Sequence, residues 1–229
     1  MKRILLPFAI LALASCVKEA PMTPVQPGEG QVCIKAVAAE SKTLLDGFDV
    51  VWEKTDEISV VLDGLKKSAV NFKVVESSLN RSNADFAGTL DVEWDEVESA
   101  YAVYPATAVD LTKNAITHKL PENQVGGVTS GMILSSAVLS VDDLQEGNAE
   151  AVFNNALSLL NVVVPAGVKS VELTSTKDGL VGAATFYNDN GILKRTSVQT
   201  ETTVSLVAET ELAAKIYPVL VYPANVGEL

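Results

Sequence analysis

Apolar residues recur in short runs along most of this chain, and polar clusters separate the runs. Typical runs are VCIKAV, EISVVL, AYAVYP, TTVSLV and IYPVLVYP, which are rich in β-branched or aromatic residues. Runs of this kind, bounded by Asp-Gly, Asn or Pro, are typical of β-strands. No long stretch has helical spacing, so the pattern predicts an all-β fold of short antiparallel strands, one about every ten residues, as in a β-sandwich.

One hairpin is predicted from its turn. Asn190-Gly191 divides the run GAATFY from ILKRT, and this dipeptide readily adopts the positive φ angles of a tight reversal. The segment NDNG could instead belong to a calcium loop, but it lacks the spaced oxygen ligands and the closing glutamate of such loops. We therefore expect a turn and no metal site.

Strict alternation predicts which side chains of two strands face a core. One strand places three apolar residues on one face: Ile58, Val60 and Leu62. The run AYAVYP has two apolar faces, one with Ala100, Ala102 and Tyr104, the other with Tyr101 and Val103. Trp52 and Trp94 also lie in alternating runs, where burial would indicate a core role and exposure a sugar-binding platform.

The first residues have the pattern of a secretory signal peptide. Lys2 and Arg3 give a cationic start, and an apolar run too short to span a bilayer follows. The segment LAS then leads directly into Cys16, which resembles the lipobox of bacterial lipoproteins. In such signals the cysteine is lipidated, for example with palmitate, and becomes the mature N-terminus. The alternative is a secreted protein in which Cys16 has this position by chance.

The pattern divides the rest of the chain into a tether and two domains. After the signal peptide, residues 1–15, residues 16–30 are rich in proline and glycine and have no periodic apolar face, which predicts a flexible tether. The acidic stretch DDLQEGNAE predicts a boundary between a first domain, residues 31–146, and a second, residues 147–229. The chain ends soon after the run Ile216–Tyr222. We therefore expect an incomplete second sandwich whose last strand has an open edge.

Charge and cysteine content exclude several function classes. Loss of Lys2 and Arg3 with the signal peptide leaves 15 basic against 29 acidic residues, a net charge of −14. Such a surface repels phosphate backbones, so nucleic acid is not an expected partner. Once Cys16 is lipidated, Cys33 has no intramolecular partner. Its position in VCIKAV predicts a buried strand residue rather than a reactive thiol.

Candidate catalytic groups are few. The single histidine, His118, lies in the polar segment ITHKLPENQ, where we expect a solvated loop residue. Carboxylates in residues 52–57 and 91–99 could form the pair that a glycosidase needs, but such groups are more often a solvated rim. Metal-ligand spacing and a phosphate-binding glycine loop are missing from the sequence. We expect no enzymatic activity, no cofactor and no metal, with a hydrolase as an alternative.

The order of several segments resembles a known family. KTLLDGFDVVWEKTDEISVV, residues 42–61, with ADFAGTL and AYAVYPAT after it, is similar to the N-terminal domain of the fimbrillin-like lipoproteins of Gram-negative anaerobes. FNNALSLLNVVVPAGVKSVELTS, residues 153–175, and LVGAATF resemble the opening of that family's second domain. The resemblance implies two antiparallel Greek-key, transthyretin-like β-sandwich domains, carried on a surface-exposed lipoprotein of the cell outer membrane.

The resemblance also implies a role in a fimbria or pilus, as subunit, anchor or cell-adhesion protein. In polymerising members a trypsin-like protease removes an early strand, and another subunit adds a strand in its place. No arginine lies between Cys16 and Arg81, so cleavage would fall at a lysine such as Lys35 or Lys42. The implied partners are the outer membrane, other fimbrial subunits, and a surface glycan or protein. The alternative is a glycan-binding lipoprotein for nutrient capture.

Overall fold

The structure is a computed structural model, and it describes residues 31–38, 52–79, 83–112, 115–176 and 179–223. The strands of the first half are β1 (Val32–Ala38), β2 (Glu57–Gly64), β3 (Ser68–Val74), β4 (Asn83–Gly88), β5 (Val97–Tyr104), β6 (Val109–Asp110), β7 (Ala115–Leu120) and β8 (Ser135–Leu139). After the helix α1 (Val141–Gln145) follow β9 (Asn148–Asn155), β10 (Ser158–Val164), β11 (Ser170–Thr174), β12 (Val181–Asp189), β13 (Ile192–Glu201), β14 (Thr203–Val207) and β15 (Lys215–Val221). Short 3-10 helices span Glu76–Ser78, Trp94–Glu96, Ala106–Ala108 and Ser130–Met132. The chain is all-β, as its pattern predicts.

Seven strands form a closed barrel in the order β1-β4-β3-β2-β5-β8-β9. Neighbours are antiparallel except β1 and β9, which run parallel and close the barrel. The β3–β4 and β8–β9 ladders are short, with two residue pairs each. They separate a layer of β9, β1 and β4 from a layer of β3, β2, β5 and β8. A barrel therefore stands where the pattern predicts a sandwich, since alternation sets the buried face but not whether the sheet edges join.

Aromatic side chains fill the barrel interior around Trp52, which is only 4% exposed. Its ring meets Phe86 and Tyr104 edge-on at 5.1 Å between centroids, and Phe153 at 5.4 Å. The predicted inward residues of β2 and β5 belong to the same core: Ile58, Val60, Leu62, Ala100, Ala102 and Tyr104. Trp94 is half-buried against this core. The core interpretation of Trp52 and both predicted alternations are confirmed.

Three smaller sheets complete the described chain. They are the four-stranded sheet β13-β12-β7-β6 and two ribbons, β10-β15 and β11-β14. A second core joins them to the outside of the barrel, because Val61, Tyr101 and Val103 pack there with residues such as Phe186 and Tyr222. The outward residues that alternation predicts for β5 therefore lie between the barrel and the smaller sheets.

The hairpin of β12 and β13 has the predicted turn. Asn190 and Gly191 have φ angles of 49° and 77°, and the two strands pair on either side of them. A Cβ atom at Gly191 would also collide with Val138 of β8. Glycine is required here both for the turn and for the close approach of the barrel.

The predicted boundary near residue 146 lies between α1 and β9. Strands from both sides of this point share two sheets, since β9 pairs with β1 in the barrel and β7 pairs with β12 in the four-stranded sheet. The division of the chain into two domains stays a prediction.

Candidate functional site

The β10–β15 ribbon exposes an apolar pair on one face. Val163 and Ile216 lie directly opposite each other in the ladder and are 74% and 56% exposed. On the other face, Tyr217, Val219 and Val221 of β15 are buried in the second core, while Leu160 of β10 is 39% exposed. The ribbon thus combines a well-packed face with an apolar patch that is open to solvent.

The hydrogen bonds of Leu220 fix the direction of the backbone groups in this ribbon. Leu220 N–H donates to Gln124 Oε1 and Leu220 C=O accepts from Gln124 Nε2, both at 2.8 Å, so these groups point away from β10. In an antiparallel ladder, the N–H and C=O groups of successive residues point alternately toward the partner strand and away from it. The outward N–H and C=O groups of β10 are therefore those of Leu159, Asn161 and Val163. Within the described ranges no hydrogen bond takes up these groups, so β10 has an open edge.

The outer edge of β15 is closed at Leu220 and Tyr222, so the expectation of an open edge along the last apolar strand is wrong at these positions. The side chain of Gln124 occupies the position beside Leu220, and Tyr222 N–H donates to Leu180 C=O at 2.8 Å. Pro218, also on this edge, has no N–H to offer. A side chain and a loop carbonyl, rather than a strand, complete this edge.

The β11–β14 ribbon provides a contrast. Residues 122–124 close the outer edge of β14, since Ser205 N–H donates to Glu122 C=O at 2.7 Å and Ser205 C=O accepts from Gln124 N–H at 3.0 Å. The exposed side chains of β11 are all polar: Ser170, Glu172 and Thr174. Charged and polar side chains protect an edge against pairing. The apolar edge of β10 lacks this protection, which makes it the candidate functional site.

The predicted processing and anchoring residues are mostly outside the described ranges. Cys16 and Lys42 lie there, and their roles stay predictions. Lys35 is exposed on β1, where its Nζ lies 3.2 Å from Glu150 Oε1 on β9. Because β1 is paired with both β4 and β9, cleavage at Lys35 would require both ladders to open.

Cys33 is a buried strand residue, as predicted. It lies in β1 with a free thiol, and burial, followed by the nearby carboxylate of Asp85, raises the pKa of the thiol to about 11. The sulfur is therefore protonated at neutral pH, and a thiol in that state is a poor nucleophile.

His118 is not the solvated loop residue that the sequence suggests. It lies in β7, and alternation places it with Ile116 and Leu120 on the buried face, where it is 7% exposed. Its Nδ1 is 3.2 Å from Tyr222 Oη, and the single hydroxyl hydrogen of Tyr222 has two carbonyl acceptors within reach, those of Gly182 at 2.9 Å and His118 at 3.1 Å. Burial lowers the pKa of His118 to about 4. This histidine is neutral and structural at physiological pH.

The buried carboxylate of the two acidic stretches, Asp56, also has structural partners. It accepts hydrogen bonds from the backbone N–H of Glu53 at 2.8 Å and from Tyr104 Oη at 2.9 Å. Burial, and then the charge of Asp56, raise the pKa of Tyr104, which keeps the phenol protonated as a donor. In the part of the chain that the structure describes, no three His, Cys, Asp or Glu side chains gather as metal ligands.

A cavity of about 110 Å³ lies where the barrel meets the four-stranded sheet. Its polar lining includes Lys67, Asp110 and Asn188, and Lys67 Nζ is 3.2 Å from Asp63 Oδ2. Ligand pockets are usually several times larger, about 300 Å³ or more. Tyr187 at its rim is the one exposed aromatic residue among those described, so this surface has no aromatic strip of the kind that binds glycans.

Known proteins give little guidance. No family model and no curated protein matches the chain. Among solved structures, a "putative cell adhesion protein" from Bacteroides eggerthii DSM 20697 is similar over 86% of this chain and 84% of that chain, at 14% identity and a TM-score of 0.31. A similarity at this level carries no argument about function. The described residues also include no helix that is long and apolar enough to cross a membrane.

Proposed function

We propose that this chain is a non-enzymatic surface lipoprotein of fimbrillin type that associates with other subunits by accepting a strand at the edge of β10. The observation that carries the proposal is the open edge itself. The unpaired backbone groups of Leu159, Asn161 and Val163 lie there, and the exposed side chains of Val163 and Ile216 lie beside them. An added strand would pair with these backbone groups and pack against the side chain of Val163.

The remaining parts of the proposal come from the sequence. Cys16 would hold the protein on the outer membrane, and the tether of residues 16–30 would lift the folded body toward the cell surface. The proposal includes two transthyretin-like sandwiches as the underlying fold, with the short β3–β4 and β8–β9 ladders as the places where two layers of a sandwich meet. Adhesion to a surface glycan or protein is a further proposed role.

The energetics favour a strand that is supplied by a folded partner. Each new backbone hydrogen bond contributes about 0.5–1.5 kcal/mol net, and full burial of a valine side chain about 1.5–3 kcal/mol. Association costs about 4 kcal/mol or more, and ordering a flexible peptide adds to that cost. A free peptide would therefore bind weakly, whereas a strand already held in extended form would lose less entropy.

The test is to place a charge on the open edge. In the mature protein, Val163→Lys should abolish the self-association that sedimentation detects before or after limited trypsin treatment, because a lysine on an edge strand opposes pairing with a further strand. Ser170→Lys makes a similar change on the edge of β11 and should leave association unchanged. A wild-type protein that stays monomeric with and without trypsin, or equal behaviour of the two variants, would contradict the proposal.

A further inference from the structure

We infer that the side chain of Gln124 takes the place of a neighbouring strand on β15 and thereby limits strand addition on the ribbon to β10. The closing role of Gln124 stands on its own geometry, while its effect on partners rests on the proposed function. The residue lies in the polar segment between β7 and β8, which the sequence pattern marks only as a loop.

A glutamine carboxamide can imitate a peptide group because it offers one acceptor and a donor in the same plane. Gln124 uses both on one residue: Oε1 accepts from Leu220 N–H and Nε2 donates to Leu220 C=O, each at 2.8 Å. Nε2 also donates to Pro121 C=O at 3.3 Å. The pairing with Leu220 has the reciprocal form of a hydrogen-bonded pair between two strands.

We call this pairing of the Gln124 carboxamide with Leu220 the clamp. Further hydrogen bonds to β14 hold the clamp in position. Gln124 N–H donates to Ser205 C=O at 3.0 Å, which ties its backbone to β14. The preceding Asn123 uses its own carboxamide on the same strand, accepting from Val207 N–H and donating to Val207 C=O, both at 3.1 Å. Two adjacent carboxamides therefore cap the edges of two different strands. Asn123 caps the edge of β14 at Val207, and Gln124 caps the edge of β15 at Leu220.

Displacing Gln124 would be costly for an incoming strand. The residue is 2% exposed, so a strand that took its place would leave a buried amide without its partners. At the neighbouring edge positions Pro218 has no N–H and Tyr222 N–H is bound to Leu180, so the outer edge offers a strand no free N–H group between residues 218 and 222. A ribbon with one closed edge accepts one strand, which makes subunit contacts through it directional.

The experiment compares the two carboxamides by amide hydrogen exchange in the monomeric protein. Gln124→Met keeps a similar side-chain volume but removes both hydrogen bonds to Leu220, and we expect Leu220 N–H to exchange about tenfold faster while Val207 N–H is unchanged. Asn123→Ala should give the reverse pattern. Unchanged exchange at Leu220 in Gln124→Met would overturn the inference.

A second measurement uses the wild-type protein, in case Gln124→Met does not fold. The side-chain NH₂ protons of Gln124 should exchange slowly and resist hydrogen–deuterium exchange, whereas fast exchange would contradict the clamp. The proposed function is tested separately by counting the strands that bind each wild-type chain: one is expected, and a second strand on β15 would contradict the closing role of Gln124. Faster exchange at Leu220 without any strand binding would support the clamp and contradict the proposed function alone.

Discussion

The barrel and the β10–β15 ribbon use the same kinds of residue in opposite ways. In the barrel every strand has a hydrogen-bonded neighbour on both sides, and most of its valines are buried or half-buried, although Val138 and Val152 are each 57% exposed. In the ribbon β10 has one neighbour among the described strands, and Val163 faces solvent. Closing a sheet removes its edges, whereas the open ribbon keeps backbone groups for a partner.

The comparison indicates where stability and interaction reside. The barrel interior buries large aromatic side chains against alanines such as Ala102 and Ala151. In such a close-packed core, a smaller side chain leaves a cavity and lowers the free energy of unfolding. The exposed end of the ribbon buries little, so substitutions there should change binding more than folding. Three changes test this division, beginning with the largest expected effect.

Replacing Trp52 with alanine should destabilise the protein strongly. The indole is almost fully buried against Phe86, Tyr104 and Phe153, and removal of an aromatic side chain from such a core costs about 3–5 kcal/mol. The free energy of unfolding, measured by urea denaturation, should fall by this amount. Trp94→Ala is the matched control, and it should cost less because Trp94 is only half-buried at the barrel surface. Equal losses in the two variants would mean that the barrel interior is not the main source of stability.

Acid should weaken the second core through His118. The pKa of this histidine is about 4 in the folded protein and about 6.5 in an unfolded chain. Above pH 6.5 both states are neutral. Between pH 6.5 and 4 only the unfolded state gains the proton, so the free energy of unfolding falls as the pH is lowered, by a total on the order of 3 kcal/mol. Below pH 4 this contribution does not fall further.

The variant His118→Leu isolates this effect from the titration of the carboxylates. The other groups around the imidazole are Tyr222, whose pKa burial raises to about 12, and Arg195, whose guanidinium lies 5.9 Å from the Tyr222 ring centroid. The phenol of Tyr222 therefore stays protonated between pH 4 and 6.5. The difference in unfolding free energy between the wild type and His118→Leu should therefore depend on pH only in this window. A pH-independent difference would mean that His118 is not the group responsible.

The sequence predicts local features of this molecule better than long-range ones. Alternation gave the correct faces for Val60 and Tyr104, and the Asn190-Gly191 turn was predicted from two residues, because each signal depends on near neighbours. The parallel β1–β9 ladder that closes the barrel joins residues 115 apart, such as Cys33 and Asn148, and has no local signal.

The candidate site was missed for the same reason. The pattern placed the open edge on the last apolar strand, since nothing near Leu220 reveals that Gln124, 96 residues away, closes it. His118 was misplaced because the polar residues Thr117 and Lys119 on its outer side suggest a loop, although they alternate with the buried Ile116 and Leu120. A strict count of alternation through ITHKL would have indicated a strand.

The smallest effect is expected where the ribbon is open. Val163→Thr exchanges a methyl group for a hydroxyl at nearly constant shape, and because the side chain is exposed the free energy of unfolding should change by no more than about 0.5 kcal/mol. The same exchange at Val60 puts the hydroxyl into the barrel interior, where the side chain is fully buried and the hydroxyl must find a partner or lose its hydrogen bonds to water. Val60→Thr should therefore lower the free energy of unfolding by about 1–3 kcal/mol.

Urea denaturation of the two variants compares the regions with one chemical change. If Val163→Thr is as destabilising as Val60→Thr, the β10 edge is covered in the folded protein and cannot be the surface that accepts a strand.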